Sequence, residues 1–403
     1  MIYLDHAAAT PMSDKALLAA EPYFKEQFFN PSSPYLPAKH VRDNYEFAKD
    51  QIAHTIGAKG ADLVITAGAT ESINLAFTAV EAVAKAKTRK LEVLILATEH
   101  AAVMATAKSV CERTGAVLSI VNVDYGGLID LKDFQQKLGE NTVFVSVALA
   151  NNELGTIQPL AEISQLVSKE RERRLEAGQD LPLYLHSDAS QALNVMDISV
   201  SRLGVDLLTI NSAKIGGPKG VGALYVGHSV KLEPIVSGGG QELGLRSGTE
   251  NVPGVIGFAA AAEETKVHLG GNRKKYQKMV EIIKNELKKC QIEPIFLGNP
   301  KHQLANFCPV SFPGIDAERL IYLLEEQEVY VSTGAACAAN KGTVSHVLKA
   351  IGLSGPEIAG SLRISLGILN TEENVKKAAI LIRQAVEAEA ARIGLKTGEN
   401  HVG

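Results

Sequence analysis

The sequence has no tryptophan, only four cysteines in 403 residues, and no excess of either charge, with 41 Lys and Arg against 45 Asp and Glu. Each shortage removes a class of protein. Four scattered cysteines cannot staple a chain of this length, and none forms a CxxC pair or sits among histidines at structural-zinc spacing. Neither a disulfide framework nor a metal site is expected. A net charge of -4 leaves no electrostatic footprint for nucleic acid, because neutralising phosphates takes a surplus of basic side chains. Long apolar runs are also missing: residues 91–97 and 142–150 fall far short of the ~20 that span a bilayer. The opening Met1-Ile2-Tyr3-Leu4-Asp5-His6 has no basic and then apolar leader pattern. The expectation is a cytoplasmic protein with neither a membrane nor a direct nucleic-acid partner. In that reducing setting each cysteine is either packing or a reagent.

What is present is ordinary globular material, 46% hydrophobic and 21% charged, long enough for about two or three domains. Between residues 60 and 230, short β-branched runs alternate with stretches of helical length. The runs lie at 63–66, 91–97, 117–123, 142–149, 183–186, 206–210 and 222–226, and the helical stretches include 71–87, 101–114 and 160–176. Apolar runs without strict alternation suit strands buried on both faces, so the pattern predicts a mainly parallel α/β sheet. Ligands of such sheets gather at the carboxyl ends of strands and at the helix N-termini that follow. After about 260 the character changes to a smaller α+β domain. It opens with a charged amphipathic helix over 259–289 and has further helices at 316–327, 344–351 and 372–393. The predicted division is an N-terminal segment 1–15 joining the small domain, a large domain 16–260, and a small domain 261–403.

Candidate chemistry falls where the sheet argument directs attention. Gly68-Ala69-Thr70-Glu71-Ser72 follows a strand and opens a helix, as either a cap or an oxyanion seat. In His186-Ser187-Asp188-Ala189-Ser190-Gln191, Asp188 serves either to cap a helix or to hold a protonated ring nitrogen. Lys214 stands directly after a buried strand and before a Gly/Pro-rich loop. It is either a lysine snorkelling from a turn or a partly desolvated, nucleophilic amine. His100 also ends a strand and suits stacking or proton transfer, and Asn151-Asn152 suits a turn or ring hydrogen bonds. In the small domain, Cys337 lies in a run of small residues where a thiolate can react, whereas Cys111, Cys290 and Cys308 read as packing. Arg363, set among strand-like residues, makes either a structural ion pair or a fork for a carboxylate.

Taken in order, these motifs resemble those of the cysteine desulfurases, which are pyridoxal 5'-phosphate (PLP) enzymes of the class V aminotransferase type. The likeness runs from Tyr3-Leu4-Asp5-His6-Ala7-Ala8-Ala9-Thr10-Pro11 through Arg246-Ser247-Gly248-Thr249 and Cys337 to about Gly367. It implies the PLP-dependent transferase fold type I, with a large, mainly parallel domain and a smaller α+β one. It also implies these roles. Lys214 carries the cofactor and takes the substrate Cα proton, Asp188 holds the ring nitrogen, and Gln191 and Asn152 bond the ring oxygen. His100 stacks on the ring, and Ala69 and Thr70 seat the phosphate. Thr249 reaches the phosphate of the other subunit of a homodimer, and Arg363, with Asn152 close by, clamps the carboxylate of L-cysteine. Cys337 takes the sulfur as a persulfide and alanine leaves.

The spacing after Cys337 resembles the long-loop branch, which delivers sulfur to an iron–sulfur cluster assembly scaffold or another sulfur-acceptor protein, or for thiolation. Three departures accompany the likeness. Ala213 replaces the histidine usual before the lysine, leaving Ser212 or Asn211 as the substitute cofactor-binding donor. Phe29-Asn30-Pro31 replaces Gly-Asn-Pro, and Gln241-Glu242-Leu243-Gly244 lacks a basic residue. The rival expectations are another class V activity such as a selenocysteine lyase, or, from Ala213, a cofactor-poor homologue that only docks on partners.

Overall fold

The computed structural model describes residues 1–87, 89–333 and 344–395. Its centre is a seven-stranded sheet. From one edge the strands run Leu63–Thr66, Gly222–Val226, Leu207–Asn211, Tyr184–Asp188, Thr142–Ser146, Glu92–Leu96 and Val117–Val121. All neighbours are parallel except around Gly222–Val226, which runs antiparallel to the strands on both sides. Val93, Leu94, Val143, Phe144, Val145, Leu185, Leu207 and Leu208 have no exposed surface. That explains why the sequence shows unbroken apolar runs rather than alternation.

Helices Ala69–Ala86, Ala101–Thr114 and Leu160–Glu176 follow three of the strands. The first two begin within a few residues of a strand's carboxyl end, and all seven predicted strands appear within three residues of their expected bounds.

The second unit is a four-stranded antiparallel sheet in the order Ser332–Thr333, Ser361–Ser365, Phe307–Ser311, Ile295–Phe296, covered by helices that include Ala317–Glu325 and Glu372–Ile393. Beside it, Ile2–Tyr3 pairs in parallel with Val329–Tyr330. The first residues of the chain therefore sit against its last third. Residue 260 lies inside one unbroken helix, Val252–Leu287, of 36 residues. This helix packs on Asp14–Ala20 and Leu36–Thr55 at one end and on Glu372–Ile393 at the other, so the two units share a helix and no linker separates them there. No helix among the described residues is long and apolar enough to cross a membrane.

Candidate active site

Four strand ends, two helix N-termini and the N-terminal segment converge on a cavity of about 400 Å³. The first wall is the start of helix Ala69–Ala86. Its cap, Gly68, has φ 144° and no side chain to accept the first-turn N–H groups. A Cβ at Gly222 on the neighbouring strand would stand 2.8 Å from the Gly68 Cα, so only glycine lets that strand pass so close. Ala69 and Thr70 line the cavity directly above this turn. Uncapped N–H groups at the positive end of an 18-residue helix are a ready anion seat.

The second wall comes from the strand end at Asp188, which is 9% exposed and accepts the Ser190 N–H at 2.9 Å. Gln191 lines the cavity beside it and donates to the Ala7 carbonyl at 3.0 Å. Lys214 leaves the tight turn Ser212–Lys214 and enters the cavity, where its Nζ donates to the carbonyls of Ala7 and Ala8 at 2.8 and 2.6 Å. His100 is the N-cap of Ala101–Thr114, its Nδ1 accepting the Ala102 N–H at 3.1 Å. With Nδ1 so engaged, the ring proton belongs on Nε2. Burial lowers the pKa of His100, with Lys214, His346 and Arg363 adding to the effect and Asp188 opposing it, so the ring is neutral.

The far end of the cavity holds Arg363 and Asn152. Arg363 is 5% exposed; its Nη1 donates to the Asn152 carbonyl at 3.1 Å and its Nη2 to Asp5 Oδ1 at 2.7 Å. Asn151, the first amide of the pair, has a framework part. It donates to the Thr98 carbonyl at 2.7 Å and accepts the N–H groups of Glu153 and Leu154.

Two expected residues are not on the cavity wall. Ser212 is fully buried, and its Oγ lies where a Cβ at Gly217 would meet it at 2.1 Å. The wall at this corner is Asn211 instead, which lines the cavity while its Oδ1 accepts the Ala213 N–H at 3.3 Å. Ser212 is thus packed beneath Gly217, its hydroxyl buried with no partner among the described residues, while Asn211 is the one on the cavity wall.

Thr249 is exposed and off the cavity of its own chain. The loop bearing it is fixed at Glu242, whose carboxylate takes Tyr45 Oη at 2.5 Å, Lys49 Nζ at 3.0 Å and the Ile65 N–H at 2.7 Å. Glu242 and Leu243 hold φ of 49° and 61°, a region that disfavours side chains and that this buried clamp stabilises. Cys337 lies outside the described residues. The other three thiols are held back from chemistry: burial pushes Cys111 up to about 11, and Cys290 and Cys308 up to about 12.

Two acids, Glu99 and the half-buried Glu153, were given no role in the sequence reading. Glu99 is completely buried and accepts the Ala148 N–H at 2.6 Å; burial, reinforced by Asp188, holds its carboxyl well above the usual range. Glu153 accepts the Ser345 hydroxyl at 2.6 Å, and burial raises it to about 7 against the opposing pull of Ser345 and Arg363. Being raised above its unfolded value of 4.5, the Glu153 group contributes stability that is full below the unfolded value and lost as pH rises through about 7. Glu153→Gln is therefore expected to shrink the stability difference between pH 5 and pH 8 by ~2–3 kcal/mol, read from urea unfolding at the two pH values. An unchanged difference would show that the carboxyl is not held protonated.

The sheet with one antiparallel strand, the lysine and aspartate at its strand ends and the anion seat opposite them belong to a class V aminotransferase: the family model described as aminotransferase class-V matches residues 2–378. A cysteine desulfurase, IscS 1 of Archaeoglobus fulgidus, is 40% identical over 379 residues, covering 94% of each chain. A solved NifS-like protein superposes with a TM-score of 0.87 at 32% identity, covering 96% of this chain and 99% of its own. The structure of SspA in complex with cysteine matches at a TM-score of 0.77 and 30% identity over 91% of this chain and 99% of that one. This chain belongs to the cysteine desulfurase family of class V.

Proposed function

We propose that this protein is a PLP-dependent cysteine desulfurase that converts L-cysteine to L-alanine and passes the sulfur on as an enzyme persulfide at Cys337. The observation that carries the reading is the single cavity holding Lys214, Asp188, His100 and Arg363 around an uncapped helix start. These groups fit PLP: an anion seat at Gly68–Thr70, an acid for the pyridine nitrogen at Asp188, and a primary amine at Lys214 between them. Asn211 adds a polar side chain at the corner where Ala213 leaves none. That answers the one feature favouring a cofactor-poor docking protein.

When bound, PLP supplies an electron sink for negative charge at the substrate Cα. The chain's own groups do the rest. The Ala69 and Thr70 N–H groups hold the phosphate, Asp188 keeps the proton on the ring nitrogen, and Gln191 and Asn152 bond the ring oxygen. Arg363 binds the substrate carboxylate, fixing the Cα–H bond toward Lys214, whose amine takes the proton. His100, neutral with its proton on Nε2, can donate that proton and recover it. The Cys337 thiolate adds to the substrate sulfur and the Cβ–S bond breaks. The electron pair remains with the carbon fragment, which is protonated and leaves as alanine.

Three inert thiols support this assignment of the fourth. The chemistry also suits a reducing, cytoplasmic compartment, with the sulfur going to an iron–sulfur scaffold or another acceptor protein. A homodimer is supported by exposed apolar side chains concentrated at Leu17, Leu18, Phe24, Phe28, Leu36 and Phe47, and by a Thr249 that serves no site in its own chain. In the same reading, residues 1–15 work with the small domain, 261–403, against the PLP-binding domain, 16–260.

The test is to incubate the PLP-loaded protein with L-cysteine and a reducing thiol. Alanine and sulfide should appear in equal amounts. Alanine without sulfide, or neither product, would sink the reading, and a strong preference for L-selenocysteine would shift it to a lyase.

A further inference from the structure

The Tyr3 to Ala9 stretch contains an acid that none of the chemistry above employs. Asp5 is off the cavity wall, yet its Oδ1 takes Arg363 Nη2 at 2.7 Å, with side-chain exposures of only 17% and 6%. Backbone pairing sets its position. Asp5 bridges Ser365 two residues beyond the arginine, the Ser365 N–H donates to the Leu4 carbonyl, and Tyr3 Oη donates to the Asp5 carbonyl at 2.9 Å.

A guanidinium has five N–H donors in a rigid fork. Here Asn152 and Asp5 engage Nη1 and Nη2, while Nε is buried with no partner among the described residues. Asn152 and Asp5 thus hold both Nη groups in place, and Nε–H remains an unused donor of the fork.

We propose that Asp5 is the positioning residue of the substrate carboxylate clamp: from off the cavity wall it fixes the Arg363 guanidinium at the cavity's far end, ready for the incoming carboxylate. This rests on the desulfurase reading. Asp5 also compensates the buried cation while the clamp waits, since an unpaired buried charge is costly. The chain runs directly on to the Ala7 and Ala8 carbonyls that hold Lys214 Nζ. One short segment thereby sets both ends of the substrate's path, its carboxylate and the amine that takes its proton.

The test compares equilibrium binding of L-alanine and of L-alaninamide, which lacks the carboxylate, to the PLP-loaded enzyme, followed by cofactor absorption. Wild-type protein should prefer L-alanine. Asp5→Asn keeps the shape and loses the charge; it should weaken L-alanine by roughly 10- to 100-fold and leave L-alaninamide unchanged. Asp5→Glu should recover most of the loss. Equal weakening of both ligands, unchanged L-alanine binding, or tighter L-alanine binding in Asp5→Asn would each overturn the role of Asp5 alone. No preference in the wild type would overturn the clamp itself and the desulfurase reading with it.

Discussion

Lys214→Ala should lower the rate of alanine formation by about 10⁴-fold or more, because it removes the amine proposed both to hold PLP covalently and to take the Cα proton. The placement of the amine makes this loss specific. Nζ is held at 2.8 and 2.6 Å by two backbone carbonyls, and no other lysine among the described residues lines the cavity. Asp188, at the adjacent strand end, is an acceptor and lacks the amine that both jobs require. The variant should still fold, since the half-buried Lys214 side chain lies in the cavity rather than filling the core. Circular dichroism and thermal unfolding near wild type, with PLP bound reversibly and removable by gel filtration, would accompany the expected loss. Residual activity above about 1% of wild type would mean that another group takes the proton.

Cys337→Ser should abolish sulfide release while leaving substrate binding intact. The other three cysteines cannot stand in, since Cys111 and Cys308 are buried and all three have pKa values near 11 or 12. At neutral pH their thiolate fractions are very small, and the thiolate is the reacting species. Mass analysis of wild-type protein after L-cysteine should place one extra sulfur on the peptide bearing Cys337 and none on the other cysteine peptides. An extra sulfur on Cys290 in the serine variant would contradict this division among the thiols. The two variants should also separate in their spectra. The lysine variant should fail to process bound L-cysteine, whereas the serine variant should bind and perturb the cofactor band without completing turnover.

The large sheet was legible because its central strands are buried on both faces. Runs such as 142–149 carry that burial openly, and the observed Thr142–Ser146 lies within it. The reversal of Gly222–Val226 was not legible, since a five-residue apolar strand looks alike in either direction. The two-residue pairing of Ile2–Tyr3 with Val329–Tyr330 spans more than three hundred positions and leaves no local periodicity to find. Residues at strand ends, such as Lys214, Asp188 and His100, could be located because topology dictates where ligands sit. Asn211 and Ser212 could not be ordered from sequence, because one tight turn decides which of two adjacent polar residues faces the cavity and which is buried beneath Gly217. Asp5 and Glu153 were hidden for a related reason: their partners, Arg363 and Ser345, are distant in the chain.

The pairing of the first residues with the last third of the chain also sets an order of events during synthesis. The strands from Leu63 to Val226 can assemble once their own stretch has left the ribosome, as domains generally do. Ile2 and Tyr3 must then wait for Val329 and Tyr330, and Asp5 must wait longer for Arg363. The anion seat and the lysine thus come into being before the carboxylate clamp. A nascent chain stalled before residue 363 would already hold the groups proposed to anchor the cofactor, yet would lack the arginine proposed to recognise the amino acid.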